Sequence, residues 1–309
     1  MSLAIDALLL HRADGVRLLG PLSLSLAPGE RLGLVGESGS GKSLLAQAMF
    51  GVLPPGVRQA GGVIQSFGIS PGATDDSTSG ARFTWVPQDP LQALNPLLTL
   101  GEHLALLPGI HRRESARVAL ARLVPLLERL RLPRDPAFLG RFPHQISGGQ
   151  RQRICLAMAL SCDPELLILD EPTTALDALV QREFLDLMRE LQRERSLGTL
   201  WITHDLAVAA EVSDRLLVLY GGEPMEAGPT SRLLSTPSHP YTARLLEAAR
   251  RTPSEEAGFL PSPQDRPAGC PFQPRCARAQ TTCSNWGVWQ GSSEAGVRCE
   301  RPLEPAPRL

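Results

Sequence analysis

RLGLVGESGSGKS, residues 31–43, is the most informative stretch of this chain. Its first five residues are a short apolar run, which predicts a buried β-strand. The glycine-rich segment that follows, 36–43, fits the pattern G-x-x-x-x-G-K-[ST], and residues 43–50 (SLLAQAMF) have helical spacing. A strand that passes through a glycine-rich turn into a helix is the context in which this pattern forms a phosphate-binding loop.

The predicted phosphate loop is Gly36-Glu37-Ser38-Gly39-Ser40-Gly41-Lys42-Ser43. Its glycines let successive backbone N–H groups surround a phosphate, and the helix N-terminus adds partial positive charge. We expect Lys42 to reach the β- and γ-phosphates and the Ser43 hydroxyl to bind Mg²⁺. The alternative is a glycine turn with no ligand. Taken alone, the motif indicates only a nucleoside triphosphate.

Two acidic residues, Asp170 and Glu171, follow the apolar run LLILD at 166–170. Parallel α/β sheets bind their ligands at the carboxyl ends of the strands. We therefore expect Asp170 to hold Mg²⁺ through water, and Glu171 to polarise the water that attacks the γ-phosphate as a general base. An acidic cap at a strand end is the alternative interpretation.

The bulk composition limits the class of protein. The chain has 309 residues, 42% of them hydrophobic, and a formal charge of -1. It can bury a full core, and it lacks the basic excess of a nucleic-acid-binding protein. The N-terminus MSLAIDALLL does not have the pattern of a signal peptide, and no run of 18 apolar residues occurs. We expect a cytoplasmic chain without its own membrane span and with no nucleic-acid partner.

Predicted strands and helices alternate along the chain, which indicates an α/β fold with a mostly parallel sheet. The predicted strands are residues 3–9, 22–26, 31–35, 166–170, 199–203 and 215–220. The predicted helices are residues 43–50, 112–132, 150–162 and 178–195, and a surface loop is predicted at 70–81. The arginine-rich helices that precede the strand at 166–170 predict a helical subdomain at about 91–162. Its arginines are expected on a solvated face.

Further motifs resemble those of the ABC ATPases. Ile146-Ser147-Gly148-Gly149-Gln150-Arg151-Gln152-Arg153 is similar to the signature motif of that family, and it lies upstream of the Asp-Glu strand as the family requires. Gln88 resembles the Q-loop glutamine, Ala175-Leu176-Asp177 the D-loop, and His204 the switch histidine. The resemblance covers residues 3–230. It implies a P-loop ATPase core with an inserted helical subdomain and an antiparallel β region.

The resemblance also implies a mechanism. Two such domains associate head to tail, so that Ser147, Gly148, Gly149 and Gln150 of one chain would contact the ATP bound to the other, with Asp177 nearby. His204 would hydrogen-bond the γ-phosphate and Glu171. Gln88 would bind the Mg²⁺ and report ATP occupancy to a membrane subunit.

One departure from the family concerns the adenine base. These domains commonly stack adenine on an aromatic side chain ahead of the phosphate loop, yet no Phe, Tyr or Trp precedes Phe50. Our hypothesis is that His11 or Arg12 stacks instead.

The region after His204 resembles one subfamily, the importers of oligopeptides, dipeptides and nickel. The segment SHPYTARLL at 238–246 and the Q-loop stretch QDPLQALNP at 88–96 are similar to theirs. A cysteine-bearing tail is also similar, and in that subfamily its cysteines are associated with an iron–sulfur cluster. The corresponding residues are Cys270, Cys276, Cys283 and Cys299. Zinc or unligated thiols are the alternatives, and we expect Cys155 and Cys162 to be small core residues.

The predicted organisation is therefore an ATPase domain at 1–230, a helical extension at 231–251, a linker at 252–269 and a cysteine-containing region at 270–309. The resemblance implies a peripheral subunit on the cytoplasmic face of the inner membrane. Its partners would be two integral-membrane permeases, a second ABC ATPase that is usually a different chain, and an extracytoplasmic substrate-binding protein. A soluble ABC ATPase and an exporter ATPase are the competing interpretations.

Overall fold

A computed structural model of the chain describes residues 3–66, 82–174, 176–250, 261–285 and 287–303. The predicted loop at 70–81, Ala175 of the D-loop and residues 252–260, half of the predicted linker, lie outside these ranges. Among the described residues, no helix has both the length and the apolar character needed to cross a bilayer.

The described chain alternates strands and helices. The strands are β1 (Leu3–Arg12), β2 (Arg17–Leu26), β3 (Arg31–Val35), β4 (Val57–Ser66), β5 (Phe83–Val86), β6 (Leu166–Asp170), β7 (Gly198–Thr203), β8 (Arg215–Tyr220), β9 (Glu223–Pro229), β10 (Gln290–Gly291) and β11 (Gly296–Val297). The helices are α1 (Lys42–Met49), α2 (Pro90–Ala93), α3 (Leu100–His111), α4 (Ala116–Arg129), α5 (Pro136–Leu139), α6 (Gly148–Leu160), α7 (Ala178–Arg195), α8 (Leu206–Val212), α9 (Thr230–Ser235) and α10 (Pro240–Arg250).

Two sheets form the α/β core, as predicted. The larger has the order β10-β11-β9-β8-β3-β7-β6-β5, and the smaller is the antiparallel sheet β2-β1-β4. Strands β5, β6, β7, β3 and β8 are parallel, whereas β9 and the two strands beyond it are antiparallel. Because Val35 pairs with Thr203, and Asp170 with Ile202, the carboxyl ends of β3, β6 and β7 meet at one edge.

The helical subdomain shares a buried core with β5 and β6, through Val86, Leu167 and Leu169. The helix predicted at 112–132 is α4, which begins at Ala116 and ends at Arg129, whereas the helix α3 before it was not predicted. A capping box formed by Thr99 and Glu102 starts α3, although neither the box nor the helix was predicted from the sequence. Arginines of α4 pair with acids, as Arg122 does with Glu114, so the solvated face carries ion pairs.

The first two strands are longer than predicted. β1 continues to Arg12 and β2 begins at Arg17, with Leu10 opposite Leu19 and His11 opposite Arg17. Register shifts interrupt the pairing between Ile5 and His11. Such bulges break the period of two on which a prediction of strand length depends.

The C-terminal region continues the main sheet. β11 pairs with β9 through Gly296 opposite Ala227 and Val297 opposite Glu226. Phe272 is buried against Tyr220 and Tyr241, with ring centroids 5.3 and 5.2 Å away. The cysteine-bearing segment therefore packs onto the end of β8, the neighbour of β3, and onto α10.

Candidate active site

The phosphate loop lies at the carboxyl end of β3. Gly36 allows no side chain, because a Cβ there would stand 2.1 Å from the carbonyl oxygen of Leu219. Gly41 has φ +99°, a conformation that favours glycine and turns the chain into α1. Ser38 and Gly39 form the exposed tip of the loop, and Ser40 N–H donates to the carbonyl of Glu37 at 3.1 Å.

Lys42 is the first residue of α1 and is buried, with 4% of its side chain exposed. Its Nζ donates to the carbonyls of Gly36 and Glu37 at 2.8 and 2.9 Å. Burial lowers the pKa of Lys42, and the carboxylates of Glu171, Asp170 and Glu37 act in the opposite direction. The ammonium is thus held at the centre of the loop among acidic groups.

Ser43 and Asp170 bring the loop and the acidic strand together. Ser43 Oγ donates to Asp170 Oδ1 at 3.1 Å. Burial is the main cause that raises the pKa of Asp170 to about 6, with Glu171 acting in the same direction. Two oxygen ligands therefore stand side by side, which is the chemistry that Mg²⁺ prefers.

Glu171 lies at the centre of a polar network. Its Oε2 accepts hydrogen bonds from Gln88 Nε2 and Thr174 Oγ1, both at 3.1 Å. His204 Nδ1 lies 3.2 Å from the same oxygen, and Lys42 Nζ lies 3.9 Å from Oε1. Residues from three distant segments and one neighbour in the same turn thus converge on one carboxylate, as a positioned general base requires.

The backbone of Glu171 contributes to this placement. Its φ is +47°, in the left-handed region that non-glycine residues seldom adopt, and its N–H donates to Ile202 O at 2.8 Å. The bond to β7 stabilises the turn directly after the strand β6. Such strain is typical of functional sites.

The signature motif lies at the start of α6. Ser147 caps this helix and accepts from Gln150 N–H, while Gln150 Oε1 accepts from Ser147 N–H. Ser147 and Gly148 are exposed, and a Cβ on Gly148 would meet nothing within 4 Å. Gly149 is half-buried beside Val180. The motif presents an exposed helix N-terminus, a favourable place for an anion.

A cavity of about 150 Å³ links this helix to the carboxylate network. Gln88, Gly148 and Glu171 are among its lining residues. Asp177 is exposed and caps α7 by accepting from Val180 N–H at 2.9 Å. The described part of the D-loop therefore lies at the surface.

The residues proposed to stack adenine lie on β1. Arg12 forms an ion pair with Asp14 at 2.5 Å, and this hydrogen bond raises the pKa of the guanidinium. His11 is half-buried, between Arg17 and Arg58 in the sheet pairing. An in-plane ion pair leaves the face of the guanidinium free, so stacking of adenine on His11 or Arg12 stays a prediction.

The four C-terminal cysteines line one cavity. Cys270, Cys276, Cys283 and Cys299 share it with His239. Burial raises the pKa of Cys270 to about 12 and also raises that of Cys299. Within the described ranges, no three His, Cys, Asp or Glu side chains are grouped as ligands of a single metal ion. Cys155 and Cys162 are buried in the α/β and helical core, as predicted.

Three residues of this site, Thr174, Tyr241 and Arg275, were not predicted from the sequence. Thr174 lies three residues after Glu171 in a turn, and a hydroxyl at that spacing is a recognisable local signal. Tyr241 and Arg275 contact Glu37 of the phosphate loop from 204 and 238 residues away. No local pattern marks such contacts.

The fold and this site define the chain as a P-loop nucleoside triphosphatase. A family model described as ABC transporter matches residues 19–174, and one described as oligopeptide/dipeptide transporter, C-terminal region, matches residues 225–283. The chain belongs to the ABC transporter ATPases, and it is an ATP-binding, ATP-hydrolysing subunit of that family.

Similar proteins cover nearly the whole chain. A peptide import ATP-binding protein of Brucella melitensis is 40% identical over 91% of this chain and 87% of its own length. The oligopeptide transport ATP-binding protein OppD of Salmonella typhimurium is 39% identical over 94% of this chain and 90% of its own length. A solved ATP-binding subunit of an ABC transporter has a TM-score of 0.65 at 29% identity, covering 75% of this chain and 92% of its own.

Proposed function

We propose that the chain powers an importer of peptides. It would act on the cytoplasmic face of the inner membrane with two integral-membrane permeases, a second ABC ATPase subunit and an extracytoplasmic substrate-binding protein. The single observation that carries the ATPase part is the convergence of Gln88, Thr174, His204 and Lys42 on Glu171. The substrate class rests on the match of residues 225–283 and on the peptide importers it resembles.

In this proposal, different residues bind the phosphates, activate the attacking water and contact the ATP of a second subunit. Lys42 and the loop amides of residues 36–43 bind the phosphates of ATP, because they combine a buried charge with a helix N-terminus. Glu171 accepts the proton of the attacking water, and His204 and Gln88 hold its carboxylate in place. Ser147, Gly148, Gly149, Gln150 and Asp177 would complete the site on a second ATPase.

The residues present fit a magnesium ion. The Ser43 hydroxyl and the Asp170 carboxylate are 3.1 Å apart, both are hard oxygen ligands, and the amide oxygen of Gln88 would complete the set. When bound, Mg²⁺ would neutralise charge on the phosphates.

A surface beside the Q-loop supports docking to a permease. A cavity of about 270 Å³ lies between the sheet and the helical subdomain, and Phe50, Trp85 and Leu107 are among its lining residues. Val52 and Ile110, close to them in sequence, are 55% and 58% exposed. An exposed apolar area of this kind is typical of a protein interface. Its position next to Gln88 would let ATP occupancy reach the membrane subunit.

The transport proposal predicts a loss of peptide uptake. Cells that lack this chain should take up labelled di- and oligopeptides at less than about a tenth of the wild-type rate, because import without ATP turnover has no driving force. Plasmid-borne wild type should restore uptake, whereas Glu171→Gln should not. Nickel uptake measured in the same cells is the control. Unchanged peptide uptake, or loss of nickel uptake alone, would contradict the peptide assignment.

We also propose that the cysteine cavity binds an iron–sulfur cluster. His239 is 1% exposed, its Nδ1 accepts from Tyr241 N–H, and its Nε2 is buried without a protein partner while the residue lines the cavity. A buried unpaired N–H points to a ligand beside it. A [4Fe–4S] cluster binds each thiolate through a different iron, so its ligands stand farther apart than those of one ion. Four thiols and a buried imidazole N–H are donor groups that such a cluster takes, and it would supply a redox-active or structural centre.

The cluster proposal predicts iron in the isolated protein. Anaerobically purified wild type should contain about four iron atoms per chain and absorb broadly near 400 nm, as [4Fe–4S] proteins do. Cys283→Ser should lose most of this iron, whereas the matched control Cys155→Ala should keep it, because Cys155 lies in the helical core. Zinc without iron, or full iron content in Cys283→Ser, would overturn the proposal.

A further inference from the structure

Glu37, the second residue of the phosphate loop, is held by three groups at once. Its carbonyl accepts from Lys42 Nζ at 2.9 Å. Its N–H donates to the Tyr241 hydroxyl at 3.0 Å, and its carboxylate accepts from Arg275 Nη1 at 2.8 Å. The last two groups come from the helix α10 and the cysteine-bearing segment. The C-terminal part of the chain therefore touches the residue whose carbonyl orients the phosphate-binding lysine.

Contacts with two aromatic residues hold the Arg275 side chain in place, in addition to its ion pair with Glu37. Its guanidinium lies over the rings of Tyr220 and Phe272, 5.6 and 5.9 Å from their centroids, and Nη1 also donates to the Tyr220 hydroxyl at 3.1 Å. Only 10% of its side chain is exposed. An arginine packed on two aromatic faces loses little conformational entropy when it forms an ion pair.

Because Glu37 is negatively charged, its ion pair with Arg275 should affect the affinity for ATP. An unpaired carboxylate in the phosphate loop would repel the negatively charged phosphates, and the repulsion would be strong because the surroundings are partly buried. The Arg275 guanidinium compensates that charge at 2.8 Å. The Tyr241 hydroxyl fixes the adjacent peptide group.

We propose that Arg275 and Tyr241 are positioning residues of the phosphate loop, which neutralise and orient Glu37 and so make ATP affinity depend on the C-terminal region. The inference rests on the proposed ATP site. Neither residue touches the phosphates in this role; both act through Glu37. The cysteine segment thereby becomes part of the nucleotide-binding apparatus, since Arg275 directly precedes Cys276.

The chain offers a direct probe of this site, because Lys42 is its single lysine among 31 Lys and Arg residues. Protein labelled with [13Cε]-lysine should give one side-chain signal, which shifts on addition of MgATP and yields the Kd. Arg275→Gln should raise that Kd about tenfold, and Tyr241→Phe about threefold. The matched control Arg250→Gln, at an exposed arginine at the end of α10, should change it less than twofold.

A double variant separates charge compensation from simple loss of structure. Glu37→Gln added to Arg275→Gln should bring the Kd to within about twofold of Glu37→Gln alone, because the repulsive charge is gone. Arg275→Lys keeps the charge and should recover at least half of the lost affinity.

These measurements distinguish failure of the proposed role of Arg275 from failure of the ATP site itself. An unchanged Kd in Arg275→Gln overturns the proposal. So does a weakened Kd that Glu37→Gln does not correct, since general disruption of the C-terminal region would not depend on the charge of Glu37. If Arg275→Gln fails to fold, Arg275→Lys and the double variant decide between the same results. Wild type whose lysine signal ignores MgATP would instead disprove the ATP site itself.

Discussion

Replacing Glu171 by glutamine is expected to lower steady-state ATP hydrolysis by at least about 100-fold while ATP binding is retained, because an amide cannot accept the proton of the attacking water. The substitution keeps the shape of the side chain, so Gln88, Thr174 and His204 still surround it. Phosphate release measures turnover, and binding of labelled ATP measures affinity. With MgATP, size-exclusion chromatography should show an ATPase dimer that persists, since hydrolysis no longer opens it.

The matched control is Glu165→Gln. Glu165 precedes β6, at the opposite end of this strand from Glu171, and pairs with Arg82 on the surface. Its removal should leave turnover within about twofold, as exposed ion pairs contribute little. A Glu171→Gln variant that retains more than a tenth of wild-type turnover would show that another group acts as the base.

Replacing Lys42 by methionine should weaken ATP binding by at least about 100-fold, and turnover should be lost with it. Methionine has nearly the same shape, so the variant removes a buried charge and leaves the α1 helix intact. Truncating one partner of a buried, hydrogen-bonded charge pair costs about 2–5 kcal/mol, which corresponds to a loss of this size. Isothermal titration with MgATP measures the affinity.

The variant Lys42→Arg tests whether a positive charge at this position is sufficient for ATP binding. The Lys42 side chain is 4% exposed, and its ammonium donates to the carbonyls of Gly36 and Glu37 at 2.8 and 2.9 Å. A planar guanidinium is too wide for this space, so Lys42→Arg should recover less than a tenth of the lost affinity. Wild-type affinity in either variant would contradict the assignment of Lys42 as the phosphate ligand.

Together the two substitutions separate binding from chemistry. Glu171→Gln should bind ATP without turning it over, and Lys42→Met should do neither. Because both side chains belong to one network, with Lys42 Nζ 3.9 Å from Glu171 Oε1, comparing them distinguishes loss of the base from loss of the nucleotide.

Much of the fold followed from local sequence. The strands Arg31–Val35, Leu166–Asp170 and Arg215–Tyr220 and the helix Ala178–Arg195 have the predicted bounds, because apolar runs and helical periodicity are short-range signals. The helix Leu100–His111 was missed, although its capping box at Thr99 is visible in the sequence. The extent of β1 was underestimated where bulges disturb the alternation.

The sequence by itself determined which residues form the phosphate loop, the acidic pair and the signature segment, because each is a contiguous motif whose spacing reflects its backbone geometry. Only the tertiary structure decided that Gln88, Lys42 and His204 converge on Glu171, and that four cysteines and His239 line one cavity. It alone placed Tyr241 and Arg275 on Glu37. The physical reason is sequence separation: local periodicity specifies a strand or a helix, whereas contacts between residues some 200 positions apart depend on how the sheet and the C-terminal region pack.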